Sequence, residues 1–159
     1  MTTNQEPDAR PSLSPYLTVD DARAAIDFYQ RAFGATLVGQ QATPDGKKLL
    51  HACLALGGGL LMLSDDFPEM CGGESRTPKA LGGTAVTLHL ALPDVDATWT
   101  RAVEAGASVE LPLADQFWGD RYGVVVDPFG HRWSLATRKK VATQEELDAG
   151  ARQHSPAAT

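Results

Sequence analysis

The feature of this sequence that most limits its possible folds is an internal repeat. A strand end, an aspartate cap and an amphipathic helix are predicted at residues 17–34 and again at residues 90–106. The glycines that end these two segments, Gly34 and Gly106, are 72 positions apart. Each half predicts its elements in the order β, α, β, β, β. We therefore predict an α+β fold of two βαβββ units, whose sheets curl around a shared cavity.

The composition along the chain predicts five segments. A polar stretch with two prolines and no periodicity precedes the first strand, and a stretch rich in Gly and Pro separates the two repeats. A capping box that begins at Thr143 predicts a last helix, which we interpret as a docking or dimer-edge helix. The segments are a flexible leader at 1–12, the first unit at 13–65, a linker loop at 66–83, the second unit at 84–138, and a C-terminal helix and tail at 139–159.

A hairpin is predicted near the end of the second unit. Asp127, Pro128 and Gly130 are residue types that favour the first, second and last positions of a type I turn. Valines precede this turn and Trp133 follows it, which is the composition of two strands. The first repeat contains a glycine turn at 57–59. When the 72-residue offset is applied, this turn falls at nearly the same position as the turn in the second repeat. A hairpin is therefore expected at the corresponding point of both units.

Charge and hydrophobicity exclude several classes of protein. The 159-residue chain has a net charge of −6, which disfavours nonspecific binding to nucleic acid or to an anionic membrane. Its apolar stretches are short and broken by Gly, and the N-terminus lacks the pattern of a signal peptide. Cys53 and Cys71 show neither a metal-binding nor a disulfide spacing. We expect a cytoplasmic homodimer with reduced cysteines.

Several separated motifs resemble one known superfamily. The doubled βαβββ pattern, AIDFYQRAFG at 25–34 and DPFGHRW at 127–133 resemble the vicinal oxygen chelate superfamily, which includes glyoxalases, bleomycin-resistance proteins and extradiol dioxygenases. Within it, LHA at 50–52, LMLSD at 61–65 and WGDRYG at 118–123 are most similar to the PhnB-like branch. The resemblance implies a fold, but the superfamily includes many activities and the fold alone selects none of them.

The resemblance also implies where a metal would bind. Metal-dependent members place His or Glu ligands on the first and last strands of each unit, at positions that correspond here to Ser14, Met62, Thr87 and Ser134. None of these is His or Glu, so we predict no usual divalent metal site, no cofactor, and a small organic ligand instead. Arg121 is included in the predicted site because a guanidinium group can bind a carboxylate or phosphate. The predicted ligand-binding residues are Ser14, His51, Met62, Thr87, His89, Trp118, Arg121, Tyr122 and Ser134, with Tyr16, Phe117 and Trp133 as further candidates for aromatic walls.

Two other functions stay open at this point. His51 and His89 could bind a metal in a lyase, isomerase or dioxygenase, with a third ligand from Asp65, Glu110 or Asp120. The fold could also be a scaffold whose cavity is filled by its own side chains. The sequence leaves open the ligand, the presence of any catalysis, the role of the loop at 66–83, and whether the cavity lies within one chain or across a dimer interface.

Overall fold

The structure is a computed structural model that describes residues 11–156. The chain divides into two compact units, Met1–Gly83 and Thr84–Thr159, and each unit is described by itself. Most of the predicted leader, residues 1–10, and the end of the predicted tail, residues 157–159, lie outside the described residues. Within the described part of the chain, no helix is long and apolar enough to cross a membrane.

The first unit contains one four-stranded mixed sheet with a helix on one face. The strand order is β1-β4-β3-β2, in which β1 is parallel to β4 and the other neighbours are antiparallel. A short 3-10 helix, Pro68–Met70, follows the sheet. The elements are β1 (Tyr16–Val19), α1 (Ala22–Phe33), β2 (Thr36–Ala42), β3 (Leu49–Leu56), β4 (Gly59–Asp65) and α2 (Pro78–Leu81).

The second unit repeats this topology. Its strand order is β5-β8-β7-β6, again with one parallel pair, β5 and β8, at the edge. The elements are β5 (Thr87–Ala91), α3 (Val95–Glu104), β6 (Ser108–Asp115), β7 (Asp120–Val126), β8 (Arg132–Arg138) and α4 (Gln144–His154). The predicted α+β class and the predicted pair of βαβββ units are confirmed.

Local signals account for the confirmed helices and hairpin. The Asp21 side chain accepts a hydrogen bond from the Ala24 N–H at the start of α1, and Gly34 ends that helix with a φ of 72°. Asp94 caps α3 in the same way. The capping box predicted at Thr143 is present at the start of α4. The predicted hairpin joins β7 to β8, and the Gly130 N–H closes its turn on the Asp127 carbonyl at 3.0 Å.

One segment differs from the sequence-based expectation. The segment at 66–83, expected to be a linker loop, contains the 3-10 helix and α2, which begins with Pro78 and is capped by the Thr77 side chain. Strand β6 extends to Asp115 although it contains Pro112. This is possible because β6 is an edge strand with shifts in register, where a residue without an N–H is tolerated.

Each helix covers one face of its sheet. In β4, Leu61, Leu63 and Asp65 are buried, while the alternate residues are only half-buried. The buried residues of α1 lie against this face, and they are Ala22, Ala25, Ile26, Phe28, Tyr29, Ala32 and Phe33. The alternate strand positions therefore point to the opposite face, which α1 leaves uncovered.

The close approach of α3 to its sheet depends on Gly123 in β7. A Cβ atom at this position would lie 2.5 Å from the Trp99 ring of α3 and 3.0 Å from the Leu113 Cα. We expect Gly123→Ala to lower the free energy of unfolding by about 2 kcal/mol, because the ring and the neighbouring strand must both move.

Urea unfolding followed by circular dichroism measures this change. Gly39→Ala is the matched control, because Gly39 also lies in a strand and its added Cβ would meet no atom within 4 Å. The control should change the free energy of unfolding by less than about 0.5 kcal/mol. Equal effects of the two substitutions would contradict the steric explanation.

Candidate functional site

The uncovered face of the first sheet contains a pocket of about 590 Å³. Three residues that sequence reasoning selected, Ser14, His51 and Met62, line it together. Strand pairing explains this, because Met62 of β4 lies between Tyr16 of β1 and Cys53 of β3, and side chains of paired residues share a face. Among residues 11–156, the lining contains no Asp, Glu, Lys or Arg; it consists of Pro11, Ser14, Val38, Gly39, Gln40, Gln41, His51, Cys53, Leu60 and Met62.

A hydrogen bond between Tyr16 and His51 orients the imidazole ring. The Tyr16 hydroxyl lies 2.9 Å from His51 Nδ1, and the two ring centroids are 5.6 Å apart. Partial burial raises the pKa of Tyr16, so the phenol keeps its proton at neutral pH and can donate it to Nδ1. The same hydroxyl lies 3.5 Å from the Leu50 carbonyl oxygen, so the direction of the bond to His51 depends on the tautomer of the imidazole. When Tyr16 donates to Nδ1, the ring proton of neutral His51 is on Nε2. In that tautomer His51 offers an N–H donor at Nε2.

Four other predicted residues come together in the second unit. His89 Nδ1 lies 2.8 Å from the hydroxyl oxygen of Ser134, its partner across β5 and β8. The Tyr122 ring is nearly parallel to the His89 ring, with centroids 6.3 Å apart, and Trp118 contacts Tyr122 edge-on at 5.4 Å. An aromatic row thus runs from Trp118 to the imidazole of His89.

The C-terminal helix holds the loop that carries Trp118. Phe117 packs under α4, where a Cβ atom on Gly150 would lie 2.1 Å from the phenyl ring. The ring of His154 stacks on Phe117 with centroids 5.1 Å apart. Helix α4 therefore packs within the second unit, and Phe117, a further candidate for an aromatic wall, packs against this helix. The dimer-edge interpretation of α4 stays a prediction.

Two predicted ligand-binding residues are engaged elsewhere. Arg121 lies on the opposite face of the second sheet, where its guanidinium binds Asp96 of α3 at 2.8 Å and Asp115 at 3.2 Å. Side chains alternate along β7, so Arg121 cannot share the face of Tyr122. The Thr87 hydroxyl accepts a hydrogen bond of 2.5 Å from Arg132. Trp133, a further candidate for an aromatic wall, is buried and donates its indole N–H to the Asp127 carboxylate at 2.8 Å.

The residues at the four implied metal positions do not fit a divalent cation. Ser14, Met62, Thr87 and Ser134 offer neutral hydroxyl groups and a thioether, whereas such cations are held by imidazole and carboxylate ligands. Among residues 11–156, no three or more His, Cys, Asp and Glu side chains form a group that could hold a metal ion.

The three carboxylates considered as a third metal ligand already have hydrogen-bond or ion-pair partners. Asp65 is buried and accepts backbone hydrogen bonds from Ala22 at 2.8 Å and Leu49 at 2.6 Å. Glu110 binds the Arg132 guanidinium at 2.5 Å, which raises the pKa of Arg132. Asp120 binds Arg138 at 2.9 Å.

Sequence reasoning missed part of each site. Cys53, Gln40 and Gln41 line the pocket of the first unit, and the alternation from His51 to Cys53 was the available signal. Arg138, which is not among the predicted site residues, lines a smaller pocket in the second unit. Its partner Asp120 could be found only from the pairing of β7 with β8.

Comparisons with known proteins agree with the architecture. The family described as Glyoxalase/Bleomycin resistance protein/Dioxygenase superfamily matches residues 12–135. An uncharacterised protein of Mycobacterium tuberculosis H37Rv is 56% identical over 139 residues, which cover 87% of this chain and 81% of that protein. The crystal structure of TioX from Micromonospora sp. ML1 has 31% identity and a TM-score of 0.61, covering 79% of this chain and 97% of TioX.

A plant protein of known structure is similar to the same extent. The product of the Arabidopsis thaliana gene At5g48480 has 30% identity and a TM-score of 0.62, covering 79% of this chain and 98% of its own. The repeated βαβββ topology, the family match over both repeats and the mycobacterial relative lead to one assignment. This chain is a member of the glyoxalase, bleomycin-resistance and dioxygenase superfamily.

Proposed function

We propose that this protein binds a small, uncharged organic molecule in the pocket of its first unit, without the divalent metal of the superfamily's metal-dependent members. The observation that carries the proposal is a pocket of about 590 Å³ whose lining, over the part of the chain that the structure describes, has no acidic or basic side chain other than His51. A ligand with a formal charge would lose its hydration there without gaining an opposite charge, which costs several kcal/mol. An apolar molecule has little favourable hydration to lose, so its transfer into the pocket costs little free energy.

The apolar and polar groups of the lining indicate further properties of the ligand. Val38, Leu60 and Met62 supply apolar contact. His51 Nε2 supplies a hydrogen-bond donor when Tyr16 donates to Nδ1, and the Ser14 hydroxyl can donate or accept. The favoured ligand is therefore largely apolar and has at least one acceptor, such as a carbonyl or ether oxygen.

This proposal includes assignments that go beyond the superfamily. We place the chain in the PhnB-like branch on the motifs at 50–52, 61–65 and 118–123, and we expect a homodimer. The competing function is a metal-dependent lyase, isomerase or dioxygenase that uses His51 and His89. Each of these histidines has a hydrogen-bond partner at Nδ1, namely Tyr16 and Ser134. Such bonds leave the other ring nitrogen available, so metal content has to be measured.

Two fluorescent probes with the same aromatic framework test the charge argument. N-phenyl-1-naphthylamine is uncharged, and 8-anilinonaphthalene-1-sulfonate adds one negative charge to that framework. We expect the uncharged probe to bind with increased fluorescence, and the sulfonate to bind at least about tenfold more weakly, because the described residues of the lining include no Lys or Arg. Equal affinity for the two probes would refute the proposal.

Paired substitutions locate the probe. Met62→Glu places a carboxylate in the pocket and should weaken binding of the uncharged probe at least about tenfold. Met70→Glu is the matched control, because Met70 is 73% exposed in the same unit and does not line the pocket. Its affinity should equal that of the unsubstituted protein. A Met62→Glu variant that binds normally would show that the probe lies elsewhere.

Metal analysis separates the two functions. Protein purified without added metal should contain no stoichiometric Ni, Zn, Fe or Mn, and dialysis against EDTA should leave probe affinity unchanged. Stoichiometric metal that is lost in both His51→Ala and His89→Ala would establish the metal-dependent alternative and end the proposal of a metal-free site.

A further inference from the structure

A second, smaller pocket lies in the other unit, and its lining includes charged side chains. It has a volume of about 230 Å³ and is lined by His89, Ala91, Asp120, Ala136 and Arg138. All five residues lie on the sheet face opposite α3, and cross-strand pairing brings them together. This pocket is distinct from the uncharged pocket of the first unit.

The floor of this pocket is formed by small residues. Ala91 of β5 pairs with Ala136 of β8, while the neighbouring cross-strand pairs contain His89 and Arg138. Two methyl groups between longer side chains leave a shallow depression. The flat ring of His89 forms one side of it, and that ring is supported by Tyr122 and Trp118. A planar group of about the size of a six-membered ring fits this shape.

The ion pair at the edge orients the guanidinium group of Arg138. Asp120 is mostly buried and accepts a hydrogen bond from Arg138 Nε at 2.9 Å, while the Arg138 side chain is 66% exposed. Within residues 11–156, the terminal nitrogens of Arg138 have no protein partner. A carboxylate matches the paired N–H groups at this end of a guanidinium.

We propose that this depression binds a planar aromatic monocarboxylate of the size of benzoate. The carboxylate takes the terminal nitrogens of Arg138, and the ring lies over Ala91 and Ala136 beside His89. Asp120 fixes the guanidinium from behind and limits the affinity by cancelling part of its charge. The first unit thus selects an uncharged molecule, and the second selects an anion.

Benzoate itself is the probe, and benzamide is its uncharged counterpart of nearly equal shape. In a titration followed by ¹H–¹⁵N NMR, benzoate should cause saturable shifts of the amides at 89–91 and 136–138, and benzamide should bind at least about tenfold more weakly. Equal binding of the two compounds, or shifts confined to the first unit, would overturn the proposal.

Three substitutions separate the site from a general effect of charge. Arg138→Gln should weaken benzoate binding at least about tenfold. Arg152→Gln removes the same charge from an exposed position on α4 and should leave the affinity unchanged. Ala91→Leu keeps the charge but fills the depression, so it should also abolish binding. If Arg152→Gln weakens binding as much as Arg138→Gln, or if Ala91→Leu binds normally, the assignment fails.

Discussion

Replacement of Asp127 by alanine should lower the free energy of unfolding by about 4 kcal/mol, because this buried carboxylate organises the hairpin of the second unit. One oxygen accepts the backbone N–H groups of Phe129 and His131, both at 2.9 Å, and the other accepts the indole N–H of Trp133 at 2.8 Å. Alanine removes all three charge-assisted bonds, two of which come from the buried residues Phe129 and Trp133. Thermal unfolding should shift downward by about 10 °C.

The conservative variant Asp127→Asn distinguishes hydrogen bonding from packing. An amide keeps one acceptor oxygen and replaces the other with a donor, so it can serve either the turn or Trp133, but not both. It should retain part of the stability that alanine loses. Chemical denaturation followed by Trp fluorescence measures both variants, and a loss below about 1 kcal/mol in Asp127→Ala would contradict the role given to this residue.

The same hairpin shows which parts of the fold follow from local sequence. Its turn was predictable because Asp127, Pro128 and Gly130 each satisfy a local backbone requirement within four residues. The starts of α1 and α3 were predictable for the same reason, since Asp21 and Asp94 cap N–H groups that are three residues away. Because the sequence repeats, the elements assigned in one half predict those of the other half, and the two sheets do have the same strand order.

The candidate sites depend on information that local rules do not contain. The hydrogen bond between Tyr16 and His51 joins residues 35 positions apart, whose strands β1 and β3 lie on either side of β4. Arg121 shows a second limit of prediction from local sequence. It and Tyr122 are consecutive in one strand, so only one of them can face a given side, but the sequence does not say which side α3 covers. The ion pair of Arg121 with Asp96 settles that.

Replacement of Asp65 by alanine should cost about 3–4 kcal/mol and also weaken probe binding in the first pocket. Its two oxygens accept the N–H of Ala22, which starts α1, and of Leu49, which starts β3. Both residues are fully buried, so alanine leaves two donors without partners. His51 lies two residues after Leu49, and a displaced β3 would move its imidazole out of line with Tyr16.

The repeat provides a control for this prediction. At the corresponding point of the second unit, the Thr137 hydroxyl accepts the N–H of Val95, which starts α3, at 2.8 Å. A hydroxyl can thus serve the helix start, but it also donates to the Leu92 carbonyl rather than accepting from a strand. Asp65→Thr should therefore restore the bond to Ala22, leave Leu49 unpaired, and recover about half of the stability lost in Asp65→Ala.

The two measurements on these variants separate the roles of the carboxylate. If the bond to Leu49 positions β3, Asp65→Thr should remain impaired in binding N-phenyl-1-naphthylamine even where its stability is partly restored. Full recovery of both stability and binding in Asp65→Thr would show that only the helix start matters. Normal binding in Asp65→Ala would show that His51 is positioned by its sheet neighbours alone. In the expected result, one buried carboxylate connects the packing of α1 on one face of the sheet to the geometry of the pocket on the other.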